Sequence, residues 1–128
     1  MRGSAAAAVL ALLLAGCAGS THAPEGAFEC VPQIRLEGVI YTGYGYTDRE
    51  ATKQWGKADE AACDDAGSDA AGSVFLDNPK QVEVWTFADY AADEVLGVRF
   101  GEGSFSVFIA ESVPRKQGDR ILSELSAK

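Results

Sequence analysis

Apolar and polar residues along this chain fall into five stretches that read as extended strands, where successive side chains point to opposite faces. The clearest is Gln81 to Ala88, QVEVWTFA, which places Val82, Val84 and Thr86 on one face and Glu83, Trp85 and Phe87 on the other. Val95 to Phe100 and Phe105 to Ala110 flank Gly101-Glu102-Gly103-Ser104, and two apolar runs around a glycine-rich tetrapeptide predict a hairpin. Leu96, Val98 and Phe100 share one face of it and Phe105, Val107 and Ile109 line another, so this pair is expected to supply much of the core. A second hairpin is predicted upstream, from Cys30 to Leu36 and from Val39 to Tyr46 around Glu37-Gly38. Gly43 and Gly45 fall on one face of its second strand, which suggests a bend or a close backbone approach, as at the corner of a small barrel.

Between and after these strands the pattern changes. Thr47-Asp48-Arg49-Glu50 fits a capping box, in which a hydroxyl and a carboxylate three residues apart satisfy two free N–H groups of a first helical turn. A short helix from Asp48 to about Trp55, ended by Gly56, is therefore predicted. Gly56 to Gly72, GKADEAACDDAGSDAAG, holds no aliphatic side chain larger than alanine and reads as a long surface loop pinned at Cys63. Val74 to Leu76 is too short to assign, Asn78-Pro79 reads as a turn, and Asp89 to Glu94 as one helical turn. From Arg115 to Lys128, Ile121, Leu122 and Leu125 recur at spacings of three and four, which predicts an amphipathic helix expected to close one end of a barrel. The fold class is thus mostly β (α+β): a small antiparallel sheet or partly open barrel of about five strands, a short helix near 48–55 and a C-terminal helix.

The amino terminus is of another kind. Arg2 precedes an apolar run from Ala5 to Ala15, followed by Gly16 and Cys17; a positive start, a short apolar core and small residues at a cut mark a secretory signal. Eleven apolar residues are about half of the roughly 20 that a spanning helix needs. The residues Leu14-Ala15-Gly16-Cys17 resemble the lipobox of bacterial lipoproteins position by position. That resemblance implies removal of residues 1–16, a thioether-linked diacylglycerol on Cys17 and often acylation of the new amino terminus, palmitate being one such chain. At roughly 0.8 kcal/mol per buried methylene, two or three chains would hold essentially irreversibly. Residues 17–26 follow as a flexible tether broken by Pro24, and residues 27–128 as a single globular domain. The expected location is the extracytoplasmic face of a cell membrane.

Charge and cysteine content sharpen this picture. The chain carries 19 acidic and 11 basic residues and a net charge of −8; losing Arg2 with the signal makes it one more negative. An acidic domain argues against nucleic acid as a partner and against broad adhesion to anionic lipid. With Cys17 taken by lipid, Cys30 and Cys63 remain as an even pair in an exported protein, most simply a disulfide. Closing a loop of about 33 residues would stabilise the domain by roughly 3 to 4 kcal/mol on the chain-entropy model. The alternative, two free thiols or half of a metal site, lacks a histidine within reach, because the single histidine, His22, lies in the tether.

Candidate chemistry is sparse. His22 stands outside the domain as a base, Gly43-Tyr44-Gly45 has Asp48 where a nucleotide loop needs its third glycine, and the chain has no G-x-S-x-G elbow, phosphate-loop lysine or H-E-x-x-H. Asp59, Glu60, Asp64, Asp65 and Asp69 form the densest acidic cluster, the one place where calcium could bind, though without the spacing of a calcium loop. A carboxylate pair for glycoside hydrolysis could be drawn from Asp64, Asp65, Glu83 and Glu102, but no spacing selects them. No catalytic residue, metal ligand or cofactor is therefore assigned.

A cysteine opening the first strand, I-x-L-x-G-V-I-Y at Ile34 to Tyr41, G-x-A-x-x-x-x-C from Gly56 followed by acids, and V-E-V-W at Val82 to Trp85 together are similar to small actinobacterial lipoproteins of unknown function. The similarity spans about half of the chain, with a longer insert at Thr47 to Trp55, and implies location and architecture only. The expected role is a binding or accessory module for a neighbouring envelope protein or an extracellular ligand, with Tyr41, Tyr44 and Tyr46 as contact surface. A small carboxylate-dependent hydrolase of cell-wall glycans is the alternative.

Overall fold

The computed structural model describes residues 30–65 and 70–127. Eight strands and one helix follow in order: β1 Gln33–Leu36, β2 Val39–Thr47, β3 Lys53–Glu60, β4 Ala62–Asp64, β5 Gly72–Val74, β6 Lys80–Thr86, β7 Val95–Arg99, β8 Phe105–Ala110 and α1 Arg115–Ser126. Six of the strands form a closed antiparallel barrel in the order β1-β2-β8-β7-β6-β3, and β4 and β5 pair beside it. The sheet is therefore closed and six-stranded, not partly open with about five strands.

Both predicted hairpins form. Leu36 faces Val39 across Glu37-Gly38, which take the positive φ values of 51° and 80° that so tight a reversal needs. Arg99 faces Phe105 across the Gly101–Ser104 turn. The register of β2 against β8 slips between Gly43 and Gly45, the bend that two glycines on one face predicted. A side chain at Gly45 would meet Leu122 of the helix at 3.1 Å, so the second glycine marks a close approach as well.

The expected helix over 48–55 is absent. Lys53 to Glu60 is the strand β3, paired with β6 from Lys53↔Thr86 to Glu60↔Lys80. The capping residues serve a turn instead: the Thr47 hydroxyl accepts the Arg49 N–H at 3.0 Å and donates to the Leu125 carbonyl at 2.5 Å. The expected loop over 56–72 is likewise replaced in part, by the end of β3 and by the β4–β5 ribbon. Alanine suits the barrel interior here, because Ala58 is 1 % exposed and sits opposite Val82. Between β6 and β7 the expected helical turn is present, with the Glu94 and Val95 N–H groups both on the Ala91 carbonyl.

Two apolar layers share one strand. Following the register, Ile34, Tyr41, Ala110, Phe108, Leu96 and Val84 face the barrel interior, whereas Val95, Ile109, Val107, Gly97 and Phe105 face outward. Every residue of β8 except Ser106 is buried, the pattern of a strand covered on both faces. Helix α1 supplies the outer cover with Ile121 and Leu125. It runs along the wall and not across an end: Gly118 touches Tyr44, Leu122 touches Gly45, and Leu125 accepts from Thr47. Its advance along the chain thus parallels that of β2, which corrects the expectation that it closes the barrel.

Gly97 lies where these layers pack closely. An added Cβ would stand 2.8 Å from the Phe87 ring and 3.4 Å from Phe105, and neither ring has room to move, being 2 % and 1 % exposed. Gly97→Ala is expected to cost about 1–3 kcal/mol through overpacking, read as a lower midpoint in urea unfolding. Cys30 is bonded to Cys63 with a Cα separation of 5.7 Å. Its reduction, or Cys30→Ala with Cys63→Ala, is expected to lower stability by about 3 to 4 kcal/mol on the chain-entropy model, measured by the same unfolding with and without reductant.

Candidate functional site

A concavity lies on the outer wall where β1, β2 and the start of α1 meet. It is an open groove of about 730 Å³ walled by Gln33, Thr42, Tyr44, Glu111, Arg115 and Asp119, with Ile109, Ala110 and Val113 among its apolar lining. Gln33 donates to the Thr42 hydroxyl at 3.3 Å, which ties the two strands along one side. Across the groove, the Arg115 guanidinium stands 5.4 Å over the Tyr44 ring and 3.7 Å from the Asp119 carboxylate. The first turn of α1 thus presents a cation and a carboxylate, and β2 an aromatic face, to the same space, an arrangement for binding a polar segment.

Of the three tyrosines expected to form a contact surface, two are used by the fold. Tyr41 is inside the barrel, 3 % exposed, with its hydroxyl on the Ala92 carbonyl at 2.9 Å. Burial, with Asp93 and Glu37 nearby, holds its phenol above the usual range. Tyr44 packs under the helix against Gly118. Tyr46 alone is exposed, at 60 %, and its ring lies 4.8 Å from that of Phe100, itself 58 % exposed. The sequence carries no signal for this pair, because 53 residues separate its members and only the β2-β8-β7 order joins them.

The carboxylates are dispersed. Asp64 lies on β4, Asp65 just beyond it, Glu83 on β6 and Glu102 in the β7–β8 turn, and all four are exposed. The structure gives none of them the apolar setting that a glycosidic general acid needs. Of the acidic cluster, Asp59 is occupied by Arg35 at 3.0 Å and by Gln81 at 3.2 Å, and Asp69 lies outside the described residues. Among the described residues no group of three or more histidine, cysteine or acidic side chains is placed to hold a metal ion. Gly43-Tyr44-Gly45 is a strand bulge and not a loop opening a helix. Cys17, His22, the signal over 1–16 and the tether over 17–26 also lie outside the described residues. No helix among the described residues is long and apolar enough to cross a membrane.

Fold and surface together define a small disulfide-stapled β-barrel with a single wall helix. A model described as a family of unknown function, DUF6281, matches residues 22–126, and the chain belongs to that family. No curated protein and no solved structure matches it.

The Arg35–Asp59 ion pair between β1 and β3 gives the fold a pH dependence. Hydrogen bonds from Gln81 and then Arg35 hold the Asp59 carboxyl below the ordinary value of 3.8. A depressed folded-state pKa stabilises the fold above the unfolded value and ceases to do so as pH falls through the folded one. Acid unfolding between pH 5 and 2 is thus expected to be shallower in Asp59→Asn than in the parent, as followed by far-UV circular dichroism.

Proposed function

We propose that the protein is a lipid-anchored component of the cell envelope that acts by binding, as an accessory module on the extracytoplasmic face of the membrane. The observation that carries this reading is the Cys30–Cys63 bond. Disulfides persist in oxidising, extracytoplasmic compartments, and this one accounts for the two cysteines of the chain other than Cys17 of Leu14-Ala15-Gly16-Cys17. An exported chain with a cysteine directly after Leu-Ala-Gly has the features that lipid attachment requires.

Binding is the activity that the surface supports best. The groove between β2 and the start of α1 offers Arg115, Asp119 and Tyr44 over an apolar floor, and a neighbouring envelope protein or an extracellular ligand with complementary charges fits it. Nothing in the placement of Asp64, Asp65, Glu83 and Glu102 favours glycan hydrolysis.

Mass spectrometry of the exported protein is expected to find a chain beginning at Cys17, heavier by a diacylglycerol and commonly by one further acyl chain. Cys17→Ala is expected to move nearly all of the exported protein out of the membrane fraction. An unmodified Cys17, or a mature chain that begins elsewhere, removes the anchor.

A further inference from the structure

We infer that the barrel end at which β1 begins rests on the phospholipid surface, with the Tyr46–Phe100 pair as its contact. This rests on the lipid anchor at Cys17 and specifies what the anchored domain touches. In an antiparallel barrel alternate strands reverse direction, so the starts of β1, β6 and β8 share an end with the finishes of β2, β3 and β7. Side chains from those positions, among them Ile34, Glu60, Val82, Val98 and Ser106, do converge on one small mouth. Cys30 lies just ahead of β1, so the chain that leads back to Cys17 leaves from this end.

The exposed apolar side chains are distributed unequally between the two ends. Val31, Tyr46 and Phe100 are 49 %, 60 % and 58 % exposed at the end described, and Leu76, at 55 %, is in the connection leading into β6. Among the described residues the other large exposed one is Trp55, which lies at the opposite mouth with Leu36, Val39 and Asp93. Twelve residues separate Cys17 from Cys30, at most about 45 Å of straight chain. That length confines the domain near the surface without by itself setting which end faces lipid, and the unequal apolar distribution decides it. A tyrosine and a phenylalanine side by side suit the headgroup boundary, where amphipathic rings gather.

Charge does not drive this contact. Asp48 and Glu102 flank the pair, and anionic headgroups repel them, but that repulsion is screened beyond about 8 Å at physiological ionic strength. Confinement by the anchor raises the local concentration enough for a weak apolar contact to persist. Adding anionic lipid is accordingly expected to weaken the contact, and adding salt to restore it.

The test uses the full-length exported protein in intact cells, with the photoreactive p-benzoylphenylalanine placed at position 46, 100 or 55 in turn. Irradiation is expected to yield phospholipid adducts from 46 and 100 and background signal from 55, identified by mass. Lipid adducts from 55 as abundant as those from 100 overturn the proposal. So does an absence of lipid adducts at both 46 and 100, or their replacement there by protein or glycan adducts. The mass of Cys17, read in the same sample, separates this from the anchor: lipid on Cys17 without adducts at 46 and 100 removes the seating alone. An unmodified Cys17 with lipid adducts at those positions removes the anchor and supports the seating.

Discussion

The barrel depends on one seam, where the first strand reaches the third. Ile34 faces Glu60 and Arg35 faces Asp59, and the Ala61 N–H reaches the Gln33 carbonyl at 3.0 Å. Without this short ladder the other five pairings would leave an open sheet with two free edges, each a template for another chain. Three further interactions guard it. Arg35 bonds Asp59 across it, the Arg35 guanidinium lies 4.5 Å over the Phe75 ring, and the Cys30–Cys63 bond ties the residues just beyond its end. The covalent staple thus lies beside a ladder of only two partner pairs, and the Ser73 hydroxyl, opposite Cys63 in the β4–β5 ribbon, adds a bond to the Val31 carbonyl.

Closure has a second consequence on the far side. A six-stranded barrel is narrow, so its interior takes only part of the apolar side chains, and β8 has both faces to bury. Helix α1 answers the outward face, and glycine at 45 and 118 allows its approach by removing the Cβ atoms that would meet Leu122 and Tyr44, while Gly97 makes room for the Phe87 ring. The groove exists because this cover is incomplete. At the start of α1 the cover thins to a groove lined by Thr42, Ile109 and Ala110, with Arg115 and Asp119 on its rim.

Most strands were legible because their side chains are large. Val82, Val84, Leu96, Phe105, Val107 and Ile109 announce a period of two that no helix could bury, and the two glycines of β2 announced its bend. What was not legible is β3. Its residues, KQWGKADE, show no period of two in large apolar side chains and follow a capping pattern, so local signals favour a helix up to Gly56 and a loop beyond it. Tertiary pairing overrides them: β6 needs a partner on its free edge, and Ala58 sits buried inside opposite Val82. The same logic hid the ribbon of β4 and β5, which have few apolar residues and are held by the disulfide and by each other. The site was less legible still, since Tyr46 with Phe100, and Tyr44 with Arg115, meet only through strand order and the path of the helix.

A closed barrel also restricts how such a protein can recognise anything. Partners that add a strand to a sheet need an unpaired edge, and each of the six barrel strands is paired on both sides. Recognition by the barrel itself therefore falls to side chains on the wall and at the two mouths. The mouth at the start of β1 encloses only about 210 Å³, small beside the 300–1,000 Å³ usual for ligand pockets, whereas the wall groove is several times larger and carries charge of both signs. If the Tyr46–Phe100 end lies against lipid, the groove, which runs up the side beside β2 and α1, stays open to whatever shares the surface. Anchor, barrel closure and partly covered wall then leave one face to the membrane and another to a neighbour, with the interior serving only to hold the two in place.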